Sequence, residues 1–303
     1  MKRAALLYKT YIAFAKKWRL QLALAALAAL YFFSAPKAQK AASRALLNSK
    51  SEADKIELFE PGRGCLVLSK AGSFWLGEFL SEQSADGGRG GQNAFGQKSL
   101  FFSCDSMLVE KLLYNLRKNV KVYEISDKKD AKNSFGLRQD RAFLIKIRRK
   151  SEVISSLNFG SVDSQNRIFF CVDNDTKIQL TDSAALAPYL TASADFWAAP
   201  EIFPKDIVGA DKKWRHGKLA VAGGQALLAD GLDWSGAAEK VYDAGDGNIY
   251  RACFLRKPDG DYWFRFEAQP SAQRPEEEKA ALKKINAVFD ASAWTFEKVF
   301  EED

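Results

Sequence analysis

The sequence is poor in the side chains that most often build metal sites and nucleophilic active sites. It has a single histidine, His216, and four cysteines: Cys65, Cys104, Cys171 and Cys253. The cysteines are far apart and form no CxxC pair, which excludes the zinc-finger and thioredoxin-like classes. No GxSxG nucleophile motif occurs, and the basic run KKWRHGK around His216 is typical of a solvated turn. We therefore expect no catalytic residue, no metal and no cofactor, and the protein is predicted not to be an enzyme.

The cysteines allow two interpretations. Cys65 and Cys171 lie within the apolar, strand-like runs GCLVL and FFCVD, where a thiol acts as a small buried hydrophobe. Disulfides are the alternative if the body lies outside the cytoplasm, and four cysteines then permit three pairings. The pair of carboxylates that a glycosidase uses leaves no spacing pattern in sequence, so the sequence does not exclude a hydrolase. Because no residue pattern supports it either, a hydrolase is the less favoured function.

Acidic residues are absent from the first nineteen positions, which hold six of the 45 basic residues. Without those six, 39 bases face 38 acids, a net charge of +1 for the rest of the chain. The overall net charge of +7 therefore reflects the N-terminal tail, and the body has no overall attraction for phosphate backbones. We expect no nucleic-acid partner.

An uncharged segment, residues 20–35, follows this basic tail. As a helix it would span roughly 24 Å, slightly short of a hydrocarbon core of ~30 Å. The pattern predicts a membrane anchor formed by Leu20, Leu22, Leu24, Leu27, Leu30, Tyr31, Phe32 and Phe33. The flanking bases Lys16, Lys17 and Arg19 predict a cytoplasmic tail over residues 1–19, and hence a single-pass protein of the inner (cytoplasmic) membrane with a periplasmic body. A cleaved signal peptide and a buried helix are the alternatives.

One segment comes close to a nucleotide-binding motif. GQNAFGQKS at residues 91–99 is similar to the phosphate-binding pattern GxxxxGK[ST], but Gln97 moves Lys98 one position late. No buried strand precedes the segment, as a phosphate-binding loop requires. We interpret it as an inserted loop and expect no nucleotide partner.

The body alternates short strand-like runs with a few helices. Residues 36–54 are interpreted as a linker, residues 55–206 as a first extracytoplasmic domain and residues 207–303 as a second unit. Asp105 is expected to cap a helix, and the connections between the middle runs are too short for crossover helices, which predicts antiparallel pairing. The predicted fold class is α+β, with an N-terminal transmembrane helix followed by antiparallel sheets with packed helices.

Two segments of the body are similar to each other: RGCLVLSKAGSFWL at 63–76 and RACFLRKPDGDYWF at 251–264. Each predicts a hairpin with a glycine turn, followed by a helix and a strand. Two related hairpin–helix–strand units would explain this, and chance convergence of two hairpins is the alternative. Trp75 and Trp263 occupy equivalent positions and are candidate surface or ligand-stacking aromatics, although paired aromatics in strands usually pack in the core.

Several features combine into a family resemblance: the N-terminal apolar segment, the IELF strand, the hairpin ending in Trp75, the Asp105 helix, the triplet at 135–137 and the stretch DFWAAPEIFPKDI at 195–207. Together they resemble an uncharacterised bacterial family, a domain of unknown function in membrane-anchored extracytoplasmic proteins associated with gliding-motility-type ABC transporters. The resemblance implies an accessory or interaction role in an envelope transport system, with transporter subunits as partners. It assigns no catalytic residue. An extracytoplasmic ligand-binding module is the alternative function.

Overall fold

The computed structural model of the chain describes residues 41–48, 52–81, 99–173, 175–209, 213–244 and 247–301. It also describes four positions near the N-terminus: Trp18, Gln21, Leu24 and Leu27. The chain divides into two units, Met1–Ala41 and Ala42–Asp303. We call the second unit the body.

The four described positions near the N-terminus are helical, and Trp18, Leu24 and Leu27 are exposed. Among the residues that the structure describes, no helix has both the length and the apolar character needed to cross a membrane. This finding contradicts the predicted single-pass location in the inner membrane. The physical reason is length, because the apolar run is shorter than the ~20 residues that a spanning helix needs. The remaining anchor and flanking residues lie outside the described residues: Lys16, Lys17, Arg19, Leu20, Leu22, Leu30, Tyr31, Phe32 and Phe33.

Strands dominate the described residues, of which 43% lie in strands and 22% in helices. The predicted α+β class with a transmembrane helix is therefore wrong, and the fold is mainly antiparallel β. The reason is that most of the apolar runs alternate with a period of two, as pleated strands require. The strands are β1 (Ala41–Arg44), β2 (Lys55–Glu60), β3 (Gly64–Ala71), β4 (Phe74–Ser81), β5 (Leu100–Ser103), β6 (Val120–Ser126), β7 (Phe143–Arg149), β8 (Glu152–Val162), β9 (Arg167–Val172), β10 (Ile178–Asp182), β11 (Val221–Ala222), β12 (Gln225–Ala226), β13 (Ala238–Asp243), β14 (Ile249–Arg256), β15 (Tyr262–Gln269) and β16 (Phe289–Ala291).

Helices are short and connect or cover the sheets. The α-helices are α1 (Ser106–Arg117), α2 (Ala194–Trp197), α3 (Lys205–Val208), α4 (Glu276–Leu282) and α5 (Ala293–Glu301), and 3₁₀ helices span Lys129–Phe135, Ala187–Tyr189 and Ala229–Gly231. The helix predicted at Asp105 is confirmed, because its side chain accepts hydrogen bonds from the backbone N–H groups of Met107 (2.9 Å) and Leu108 (3.3 Å). The buried face of α1 consists of Val109, Leu112, Leu113 and Leu116.

Ten strands form one large sheet in the order β1-β6-β10-β9-β8-β7-β2-β3-β4-β5. Its two faces differ: Ile56, Leu58, Leu66 and Leu68 of β2 and β3 are fully buried on one face, while the residues between them are partly exposed on the other. Gly72, with φ of +60°, occupies the two-residue turn between β3 and β4, which favours a glycine.

A four-stranded sheet, in the order β13-β14-β15-β16, contains the second of the two similar hairpins. The two hairpins differ in register: Trp75 pairs with Lys70 across a two-residue turn, whereas Trp263 pairs with Leu255 across a five-residue loop. Residues that the ungapped alignment places at equivalent positions therefore do not have equivalent partners on the neighbouring strand.

The two sheets share one hydrophobic core and are joined through Asn286. Its side-chain oxygen accepts from the N–H of Phe101 (2.8 Å), and its side-chain nitrogen donates to the carbonyl of Ser99 (3.0 Å). The backbone N–H groups of Asn286 and Ala287 both donate to the carbonyl of Phe101 (3.1 Å each). The edge of β5 is thus paired with the segment leading into β16.

Candidate functional site

A polar cleft with a volume of about 490 Å³ lies beside strands β8, β9 and β10 of the large sheet. One wall, the helical wall, is formed by Lys132, Asn133, Leu137, Arg138 and Gln139, from the 3₁₀ helix Lys129–Phe135 and the loop after it. The other, the turn wall, is formed by Asp173, Asp175 and Thr176 between β9 and β10. Asn158 of β8 completes the lining. Eight of these nine side chains are polar or charged, so the cleft offers hydrogen bonds and charges to a ligand.

The helical wall is held against the sheet by the residues that end its 3₁₀ helix. The ring of Phe135 packs on Phe169 with 4.5 Å between centroids, and its carbonyl accepts from the Ser161 hydroxyl (3.0 Å). Gly136 has φ of +70°, and a Cβ there would come 2.9 Å from the backbone nitrogen of Ser161. Glycine is therefore required on both counts, and the buried Leu137 follows it directly.

The turn wall is ordered by its own hydrogen bonds. The N–H of Asp173 donates to the carbonyl of Ser156 (2.9 Å), and the Ser156 hydroxyl donates to the Asp173 carboxylate (3.2 Å). The Asp175 carboxylate accepts from the N–H of Lys177 (3.1 Å), which is a common turn-forming contact of aspartate. The Asp173 carboxylate is thus held by the Ser156 hydroxyl and the Asp175 carboxylate by a backbone N–H.

The charges that line the cleft balance formally, because two cations, Lys132 and Arg138, accompany two carboxylates. Arg138 donates through Nε to Asp140 (2.9 Å) at the surface. Neither Lys132 nor Asp175 takes part in an ion pair of the described residues. Below the cleft, burial raises the pKa of the Cys171 thiol, and the nearby Lys132 ammonium opposes this only in part.

A second, much smaller cavity of about 20 Å³ adjoins the only histidine. Arg215, Gly217 and Lys218 beside His216 are exposed, but the His216 ring stacks on Phe289 with 4.0 Å between centroids. The cavity is also lined by Ser103 and Glu201. Burial lowers the pKa of His216 below its ordinary value and raises the pKa of the Glu201 carboxyl.

This cavity is not arranged for nucleophilic catalysis. The Nε2 and Nδ1 atoms of His216 lie 2.8 Å from the carbonyl oxygens of Ala199 and Gly217, respectively. Both ring nitrogens therefore face backbone, whereas a serine triad needs one on the hydroxyl and one on the acid. The Ser103 hydroxyl is buried with no hydrogen-bond partner among the described residues. The volume accommodates about one water molecule, so the site has no room for a substrate.

The aromatics predicted as ligand contacts lie elsewhere. Trp75 is 2% exposed and packs in the core, with its Nε1 3.3 Å from the Glu110 carboxylate. Trp263 is partly exposed on the four-stranded sheet, and the Lys257 ammonium lies 6.0 Å from its ring centroid. Neither tryptophan lines the polar cleft.

The cysteines and carboxylates add no further site. All four cysteines lie in described parts of the chain and carry free thiols. Within the described ranges, no group of three or more histidine, cysteine, aspartate or glutamate side chains is arranged to hold a metal ion.

Comparison with known proteins gives no relative. No family model, no curated protein and no solved structure matches this chain. The cleft residues were not found from the sequence, because Lys132, Asn158 and Asp175 come from separate segments that only the sheet order brings together. The only part of the cleft that the sequence analysis singled out was the triplet at 135–137, whose contacts with the sheet hold the helical wall in place.

Proposed function

We propose that this chain is a binding protein that takes up a small polar solute in the cleft between the helical wall and the turn wall. The observation that carries the proposal is the cleft itself. Its volume of about 490 Å³ lies within the range of roughly 300–1,000 Å³ that is usual for small-molecule sites. Its walls are held by hydrogen bonds within the protein itself, which lowers the ordering cost of binding.

Binding without chemistry fits the composition of the lining. None of the nine lining residues is histidine, serine, cysteine or tyrosine. The lining therefore contains no imidazole base and no serine or cysteine nucleophile, the groups that most often carry covalent catalysis. The charged and amide side chains suit recognition of a polar molecule.

The accessory role implied by the family resemblance stays a prediction and is compatible with solute binding. A module that holds a solute could serve a transport system whose subunits it contacts. Affinity purification of the tagged full-length chain from its native source, followed by mass spectrometry, would test this part. Near-stoichiometric transporter subunits would support it, and a chain that is recovered alone would contradict it.

The binding proposal is tested by thermal unfolding of the full chain in the presence of small amino acids, neutral sugars, carboxylates and inorganic phosphate. A solute present at about 100 times its Kd stabilises the folded state by about 2.7 kcal/mol. At about 2–4 °C per kcal/mol, this raises Tm by roughly 5–10 °C.

Two phenylalanine substitutions on the same strand locate the effect. Asn158→Phe fills the cleft and should abolish the stabilisation, whereas Val162→Phe, at an exposed position of β8 outside the cleft, should retain it. Stabilisation that survives Asn158→Phe would place binding elsewhere. Failure of every solute class to stabilise the wild-type chain would refute the proposal.

A further inference from the structure

Lys132 and Asp175 are the key pair of opposite charges in the cleft. Lys132 belongs to the helical wall and Asp175 to the turn wall. Among the described residues, no carboxylate pairs with Lys132 and no base pairs with Asp175. Lys132 is hydrogen-bonded to the Cys171 thiol and Asp175 to the N–H of Lys177, so neither contact supplies an opposite charge. The two charges belong to separate segments of one cleft.

The other charged residues of the lining follow the same separation, with bases on the helical wall and acids on the turn wall. Arg138 accompanies Lys132 on the helical wall and binds Asp140 through Nε, while its guanidinium carries four further N–H donors. Asp173 accompanies Asp175 on the turn wall. The cleft thus has a cationic wall suited to a carboxylate and an anionic wall suited to an ammonium group.

Building on the binding function proposed above, we propose that the cleft selects a zwitterion: a free α-amino acid or a short peptide whose carboxylate faces Lys132 and Arg138 and whose ammonium faces Asp175. The carboxamides of Asn133, Gln139 and Asn158 supply donors and acceptors for the rest of such a ligand.

Two other ligand classes fit the cleft less well. An anion such as phosphate would meet the carboxylates of Asp173 and Asp175, which repel it. Planar bases and sugar rings are usually held by stacking on an aromatic side chain, and none of the nine lining residues is aromatic. A compact zwitterion uses both signs of charge and needs no stacking partner.

Isothermal titration of the full-length chain tests the proposal. The probes are the standard L-amino acids and glycylglycine, with inorganic phosphate and sucrose as the competing classes. The best-bound zwitterion is then compared with its N-acetyl derivative, which lacks the ammonium, and with its amide, which lacks the carboxylate. Loss of either ligand charge should weaken binding roughly tenfold or more.

Protein variants assign each ligand charge to its wall. Lys132→Gln should weaken the parent zwitterion roughly tenfold but have little further effect on the amide, and Asp175→Asn should behave in the same way toward the N-acetyl derivative. Lys177→Gln is the matched control, since Lys177 is an exposed base beside the turn wall that does not line the cleft. It should change affinity by no more than about twofold.

The outcomes separate this inference from the binding function on which it rests. Binding of phosphate or sucrose, abolished by Asn158→Phe and without binding of any zwitterion, would leave the binding function standing and overturn the inference. Equal affinity for a zwitterion and its N-acetyl derivative would also overturn it. Absence of binding by all probes would overturn both.

Discussion

A buried ion pair, Arg274 with Glu278, ties the four-stranded sheet to the turn of the β3–β4 hairpin. The Nε of Arg274 donates to Glu278 over 2.7 Å, and the two side chains are only 11% and 10% exposed. The terminal nitrogens of Arg274 donate to the Tyr250 hydroxyl (3.2 Å) and the Ile207 carbonyl (3.0 Å). The other oxygen of Glu278 accepts from the N–H of Ser73 (3.0 Å).

Replacing Arg274 with methionine keeps much of the buried volume but leaves the Glu278 carboxylate without a counter-charge. Breaking a buried pair in this way costs about 3–5 kcal/mol. Because Glu278 keeps its hydrogen bond to Ser73, we expect the lower end, about 3 kcal/mol. At about 2–4 °C per kcal/mol, Tm should fall by roughly 6–12 °C.

Urea unfolding followed by circular dichroism measures the change in the free energy of unfolding. Arg138→Met is the matched control, since its pair with Asp140 has a similar distance of 2.9 Å but side chains that are 53% and 56% exposed. It should cost less than about 1 kcal/mol. The double variant Arg274→Met/Glu278→Met removes the unpaired charge and should be more stable than Arg274→Met alone. A single variant within about 1 kcal/mol of wild type, or a double variant that is less stable still, would refute this reasoning.

Three further predictions concern the glycine turn, the histidine and the thiols. Gly72→Ala should cost about 2–4 kcal/mol in urea unfolding, because the Cβ would lie 1.8 Å from the Glu278 carboxylate at a φ of +60°. Gly224→Ala, with φ of +82° and open space around it, should lose only about 1–2 kcal/mol, and equal losses would contradict the steric account. Because burial lowers the pKa of His216 below its ordinary 6.5, the unfolded state binds more protons, so the free energy of unfolding should fall as pH drops below 6.5. His216→Gln should lose this slope, and an unchanged slope would assign it to other groups. Burial raises the pKa of Cys65 to about 11, so the folded chain should react slowly with a thiol reagent at neutral pH and all four cysteines rapidly in urea; fast reaction of the folded chain would contradict the structure.

Local patterns predicted several elements of the body. Asp105 before an apolar repeat predicted α1 and its cap, and two strand-like runs joined by a glycine turn predicted the β3–β4 hairpin. These features depend on neighbouring residues alone, since a cap or a two-residue turn is completed within a few positions.

Other expectations depended on features that a local pattern does not contain. The apolar run at 20–35 predicted a membrane span, whereas no helix among the described residues is long and apolar enough to form one. Trp75 and Trp263 were treated as equivalent, yet strand register places one in the core and the other on the four-stranded sheet. Register depends on loop length, which an ungapped alignment hides.

The cleft could not be predicted from sequence for the same reason. Lys132, Asn158 and Asp175 carry no shared motif, and they meet because β8 and β9 are neighbours and the 135–137 triplet anchors the helical wall on them. Polar residues on separate loops are read as solvated surface until the sheet order is known.

The most direct test of the binding function is amide chemical-shift mapping of the full-length chain by nuclear magnetic resonance. The chain would be titrated in turn with a mixture of the standard L-amino acids, with inorganic phosphate and with sucrose. The account predicts that at least one of these, and foremost the amino acids, shifts the amide signals of Lys132, Arg138, Asn158 and Asp175 while Val162 stays unchanged. Shifts confined to other parts of the body, or no shifts with any of the three, would contradict it.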